Sequence, residues 1–188
     1  GKAITAYRDL KKANAILSLE KMALSAEKGF TLEALHHQWW NKTAPMIEEI
    51  KLNNGRLGQD LYKLFKDTPL SENQIRQILH QANFKTFPRP KGIPHDWEVK
   101  ISNSGGGMKY RLEAPLKSGE RYPKVEVRVM PGNPNSKLPA QREPYIKHKV
   151  EQNYYDKHGN IVGESSIEAH IPLKEYDFTK LNKLTNYD

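Results

Sequence analysis

Three prolines and a glycine fall within eight residues at Phe87-Pro88-Arg89-Pro90-Lys91-Gly92-Ile93-Pro94. Proline fixes φ and lacks an N–H, so neither a helix nor a central strand runs through such a stretch. On its two sides the apolar residues keep different periods. Before it they recur every three or four residues, as on an amphipathic helix; after it they alternate, as on a half-buried strand. The chain therefore reads as α+β. A helical unit spans 1–85, a semi-rigid linker 86–96, and a small twisted antiparallel β-sheet domain 97–188.

In the first part Ile4, Tyr7, Leu10, Ile16, Leu17 and Leu24 predict a helix over 3–27, with Gly29 as its stop. Thr31 is the expected cap of a second helix carrying Leu32, Leu35, Trp39 and Trp40. Pro45 should kink or split it near Thr43. Asn53-Asn54-Gly55 reads as a turn. Leu57, Leu61, Leu64 and Phe65 follow on a short helix. Ser71-Glu72-Asn73-Gln74 has the spacing of a capping box opening another. This half holds no catalytic constellation. His36 and His37, being adjacent on a helix, point about 100° apart.

In the second part, strands are expected at Trp97–Ile101, Met108–Leu112, Lys124–Met130, Tyr145–Val150, Tyr154-Tyr155, Ile161-Val162 and Ile167–Ile171. Asp156-Lys157-His158-Gly159-Asn160 is the expected hairpin turn. The clearest alternation puts Val125, Val127 and Val129 on one face and Lys124, Glu126 and Arg128 on the other. Gly105-Gly106-Gly107 is no phosphate loop, since no Lys-Ser/Thr pair or helix follows it. It reads as a turn, or as a close approach of backbone to a ligand.

Composition narrows the chemistry. With no cysteine among 188 residues, disulfides, thiolate metal sites and Cys nucleophiles are excluded. No apolar run approaches the ~18 residues that span a bilayer. The net charge is +8, and residues 100–149 hold eleven Lys/Arg against four Glu, or +7. A face so charged suits a polyanion or an acidic protein.

His170 stands out among the candidate residues. On an extended strand it would share a face with Glu168, and a Glu–His pair can act as general acid and base. Glu168, His170 and His148 have no metal-ligand spacing signature, so no metal and no other cofactor is expected. Cleavage of a phosphodiester without metal needs a base for the 2′-OH, an acid for the leaving oxygen and cations for the phosphorane, which restricts the substrate to RNA. Lys109, Arg128 and His148 are the further candidates for that catalysis. Lys147, Arg111 and Lys149 would contact substrate, and Tyr145 could stack on a base.

The run from Trp97 to Leu173 resembles the C-terminal toxin module of bacterial polymorphic toxins, of the Rhs and contact-dependent inhibition type. Trp97 ahead of Gly105-Gly106-Gly107 carries the likeness, with Val127-Arg128-Val129-Met130-Pro131-Gly132-Asn133-Pro134, Pro144-Tyr145-Ile146, Asp156-Lys157-His158-Gly159-Asn160 and Glu168-Ala169-His170-Ile171-Pro172-Leu173. It covers 77 residues. The resemblance implies a secreted or delivered effector acting in the target-cell cytoplasm, a parent toxin chain N-terminal to this piece, and an immunity protein. An acidic immunity protein would suit the basic sheet. It also implies a barnase/EndoU/colicin/RelE-like ribonuclease fold, with Arg128 and His170 as the best-matched pair. Lys147 stands where an Arg is expected, keeping the charge without the planar fork. Two other readings remain open: a non-catalytic basic module binding nucleic acid or protein, and a metal-dependent DNase toxin.

Overall fold

The computed structural model describes residues 8, 9, 12, 32–53, 56–104, 106–115 and 117–185. The helix expected over 3–27 lies outside these residues, except for Arg8, Asp9 and Lys12, which are helical. Gly29, Thr31, Asn54, Gly55 and Gly105 also lie outside them. Among the described residues the chain is α+β, with four α-helices and a seven-stranded antiparallel sheet.

Helix α1 (Leu32–Asn53) is followed by α2 (Leu57–Phe65) and α3 (Glu72–Gln81). Pro45 lies inside α1, which does not divide there. Leu35 and Trp39 before the proline and Ile47 and Ile50 after it all enter the core, and that shared burial outweighs the missing hydrogen bond. The capping box at α3 is complete: Ser71 Oγ accepts from Gln74 N at 3.2 Å, and Ser71 N donates to Gln74 Oε1 at 2.9 Å.

The strands are β1 (Glu98–Ile101), β2 (Met108–Pro115), β3 (Arg121–Met130), β4 (Tyr145–Val150), β5 (Asn153–Tyr155), β6 (Ile161–Val162) and β7 (Ile171–Pro172). They pair in the order β1-β2-β3-β4-β5-β6, and β7 joins the N-terminal half of β4. Because side chains alternate across the pleat, the register sorts the residues into two faces. Val99, Tyr110, Val127 and His148 lie in one transverse row, and Ile101, Met108, Val129 and Ile146 in the next. That face forms one continuous apolar core with α1, α2 and α3. The linker is pinned to it by Ile93, which is buried, and by Arg89.

The polar joint between the halves is Glu72. Its Oε1 accepts from Arg76 Nη2 at 2.8 Å and from the Tyr110 hydroxyl at 2.9 Å, and its Oε2 accepts from Arg89 Nη2 at 2.8 Å. Burial works to raise the Glu72 pKa, but the bonds from Arg76, Arg89 and Tyr110 outweigh it and hold the carboxyl below its ordinary value.

The polar tail folds further than its pattern suggests. Asp177 caps a fourth helix, α4 (Phe178–Leu184), by accepting from Lys180 N at 3.3 Å. Phe178 meets Trp97 edge-on, with ring centroids 5.4 Å apart.

Candidate functional site

The face of the sheet opposite the helices carries the charge. Lys109, Arg128 and Lys147 are direct Cα partners across β2, β3 and β4, and Arg111, Glu126 and Lys149 form the adjacent row. Strands lie ~4.8 Å apart, so three cations fall within about 10 Å. Like charges directly opposite one another in a sheet are destabilising, so this row costs stability unless an anion meets it. On β1 the two rows continue in Lys100 and Glu98, which pair at 3.2 Å, and Glu126 accepts from Arg111 Nε at 2.7 Å.

These cations are partly withdrawn from water. Lys109 and Lys147 are each only 6% exposed. Burial lowers the Lys147 pKa to about 8, helped by the neighbouring Arg128 and opposed by Glu164. Lys109 is also lowered, first by burial and then by Arg111, Arg128 and Lys149, against the pull of Glu126. Arg128 Nε is buried without a hydrogen-bond partner. The Lys147 ammonium sits 4.6 Å from the Tyr154 ring centroid, and Lys149 approaches the same ring at 5.5 Å.

His170 closes the end of this face. Residues 164–170 do not form the expected strand; they form turns, and β7 begins only at Ile171. Serine explains the difference, because its hydroxyl offers the backbone a local alternative to the ladder. Ser166 Oγ donates to Gly163 O at 2.6 Å and accepts from Ala169 N at 3.2 Å, and His170 N donates to Ile167 O at 3.0 Å. The alternation that would pair Glu168 with His170 is therefore absent. Glu168 is exposed while His170 is buried, and no hydrogen bond joins them.

The His170 ring is held by both nitrogens, one by its own turn and one by the Pro139–Gln141 turn. Nδ1 lies 2.6 Å from Ser166 O. A carbonyl only accepts, so Nδ1 carries the proton and Nε2 presents a lone pair, which receives the Gln141 amide at 3.3 Å. The ring also lies 4.9 Å from that of Tyr145, two residues before Lys147 on the same face. Burial lowers the His170 pKa; the Ser166 carbonyl opposes this, and the charges of Lys147 and Arg128 reinforce it.

His148 is not part of this face. It follows Lys147 by one residue, so the pleat turns it into the core, where it is fully buried. Its Nδ1 is bonded to the Tyr176 hydroxyl at 2.9 Å and its Nε2 has no partner. Burial lowers its pKa to about 4. A neutral imidazole sealed between Tyr155, Tyr176 and Phe178 cannot exchange protons with a substrate on the far side of the sheet.

Of the other candidates, Lys109, Arg111, Arg128, Tyr145, Lys147 and Lys149 lie together on the charged face. Sequence reasoning passed over Glu126, although it stands between Lys124 and Arg128 on the polar side of the clearest strand. It also passed over Tyr154, which only the β4–β5 register brings beside Lys149. Gln141 carries no sequence signal; its place depends on the short 3-10 turn Pro139–Gln141. Gly106 and Gly107 serve packing. A Cβ on Gly107 would lie 2.5 Å from Val129 O, and one on Gly106, whose φ is +74°, would strike the Phe84 ring.

Among the described residues no three His, Asp or Glu side chains converge as a metal site, and no helix is long and apolar enough to cross a membrane. No family model, curated protein or solved structure matches this chain.

Proposed function

We propose that the chain is a ribonuclease toxin domain that cleaves RNA by metal-independent acid–base catalysis through the 2′-OH. One observation carries this reading: the row Lys109–Arg128–Lys147 ends beside an imidazole that is buried, held as one tautomer by Ser166, and turns its Nε2 lone pair to the exchangeable amide of Gln141. Environment pushes the two titrating groups to complementary states at neutral pH. His170, with its pKa lowered, is an unprotonated base, and Lys147, near 8, is a protonated acid.

In the proposed reaction the 2′-oxygen attacks phosphorus and its proton passes to His170 Nε2. Arg128 and Lys109 hold the non-bridging oxygens as charge gathers on the phosphorane. The P–O5′ bond breaks, and the leaving oxygen takes a proton from Lys147 Nζ. The products are a 2′,3′-cyclic phosphate and a 5′-hydroxyl. Glu168, exposed in its turn, has no part in the proton transfers.

Helices on one face of an antiparallel sheet, with the reacting groups on the other, suit a barnase/EndoU/colicin/RelE-like fold. In the same reading the domain is delivered by a longer toxin chain, and an acidic immunity protein covers the cationic row in the producing cell, with association accelerated at low salt. An oligoribonucleotide with a single 2′-deoxy nucleotide at the mapped cut tests the chemistry. It should resist cleavage at that position alone; cleavage there at the full rate would overturn the 2′-OH mechanism.

A further inference from the structure

Beside His170 lies an open groove of about 1120 Å³, as large as the pockets that hold small ligands, and none of the cations of the sheet face lines it. It runs between β7 with its following 3-10 turn, the Pro139–Gln141 turn and the tip of the β5–β6 hairpin. Ala140, Pro144, Ile167, Pro172 and Leu173 make its walls apolar.

Three of its six Asp, Glu and Lys side chains are already engaged. Asp156 accepts the backbone N–H groups of His158 and Asn160, each at 2.9 Å, and Lys157 pairs with Glu175 at 3.1 Å. Lys174 and His158 also line it. Glu143 and Glu168 form no ion pair among the described residues. The two surfaces that meet at His170 therefore differ in kind. The sheet face is rich in cations, whereas the groove presents apolar walls with four carboxylates, two of them unpaired, against Lys157 and Lys174.

Resting on the ribonuclease reading, we infer that this groove holds the nucleoside on the 5′ side of the scissile phosphate, unpaired, and selects bases that carry an exocyclic amino group. The phosphate is drawn to the cationic row and repelled by the carboxylates, so the neutral base is the part that fits the groove. The nucleotide on the 5′ side owns the attacking 2′-OH, which must reach His170 Nε2 in place of the Gln141 amide, and His170 lines the groove. A base held there has left its stack and its partner, so the substrate is a single strand or a loop. Carboxylates only accept hydrogen bonds. Adenine, cytosine and guanine offer them an exocyclic amino group, whereas uracil offers only its N3–H, flanked by two carbonyl oxygens that the carboxylates repel. Glu168 thus becomes a specificity residue rather than half of an acid–base pair.

The test uses the full chain on one RNA strand, alone and annealed to its complement, with the 5′-side nucleotide at every cut read from the mapped ends. The free strand should be cleaved at least about tenfold faster than the duplex, with uridine under-represented before the cut. Ala140→Trp, which fills the groove, should raise KM about tenfold with kcat little changed. Glu168→Gln with Glu143→Gln, both at exposed positions, should restore uridine without loss of fold. Equal cleavage of strand and duplex, or uridine as frequent as the other bases together with normal kinetics in Ala140→Trp, would overturn the groove assignment and leave the ribonuclease reading standing. No cleavage of either RNA would overturn both.

Discussion

Lys147 and His148 are consecutive in β4 and face opposite sides of the sheet, one toward the cationic row and the other into the core. Both lose part of their affinity for protons to burial. Beyond that they differ: Lys147 lies among groups suited to bind an anion, and His148 is a liability to be kept neutral.

His148 should make the fold acid-sensitive. Its folded pKa, about 4, is below the ordinary 6.5, so between these values the unfolded chain binds a proton that the folded chain refuses. Stability is full above pH 6.5 and falls as the pH drops toward 4, by roughly 3 kcal/mol if this group acts alone. Urea midpoints at pH 7 and pH 4.5 measure the loss. His148→Phe should flatten that part of the profile, at about 1 kcal/mol for the orphaned Tyr176 hydroxyl. An equally steep profile in the variant would place the acid sensitivity elsewhere.

Lys147 should set the alkaline limb of activity. The profile of kcat/KM against pH should rise as His170 loses its proton, below the ordinary histidine value, and fall above about pH 8 as Lys147 loses its own. Arginine keeps the charge but does not give up a proton near neutrality. Lys147→Arg should therefore cost about a hundredfold in kcat and remove the alkaline limb, with KM nearly unchanged. A limb that stays near pH 8 in this variant would show that another group is the acid.

Arg128 and Lys109 should be felt through salt. Each phosphate contact contributes close to one unit to the slope of log binding constant against log salt concentration, or about 0.7 on single strands. Arg128→Ala and Lys109→Ala, tested with a 2′-deoxy oligonucleotide that binds uncleaved, should each lower the slope by about that amount. An unchanged slope would remove that side chain from the phosphate site.

Glu72 should be the most costly polar residue to truncate. In Glu72→Ala the Tyr110 hydroxyl, Arg76 and Arg89 lose a shared partner whose own side chain is only 23% exposed. Arg76 and Arg89 keep their bonds to the Phe87 and Pro94 carbonyls but lose the carboxylate that balances their charge, at about 3 kcal/mol. Tyr110→Phe removes the hydroxyl's bonds to Glu72 and from Arg76, leaves both charges paired, and should cost about 1 kcal/mol. Similar urea midpoints for the two variants would contradict a shared joint.

How much of this was legible depended on whether local pattern and tertiary context agreed. They agreed at Val125, Val127 and Val129, at the Ser71–Gln74 box and through most of the sheet, where alternation and turn residues say the same thing. At Pro45 local chemistry predicted a break, and burial of the flanking apolar residues prevailed. At 167–170 a short alternating run looked extended, but the Ser166 hydroxyl held it in turns. Asp177, with Phe178 and Leu181 three apart, carried a readable cap-and-face signal for α4. The error at His148 was avoidable, since Ile146 and Val150 already marked its face as the buried one. No pattern in the chain could have brought Gln141 to His170, because the loop joining β3 to β4 sets that contact.

Incubation of the purified full chain with total RNA in EDTA, beside His170→Ala, tests the central claim most directly. His170 makes two side-chain hydrogen bonds and is 7% exposed, so the variant should lose about 1–2 kcal/mol of stability and still fold. The wild type should cleave RNA without added metal, and the folded variant should be slower by a factor of 10² to 10⁴. Equal cleavage by both proteins would remove His170 from the chemistry. RNA that stays intact with both, while binding weakens steeply with salt, would make this chain a basic binding module instead.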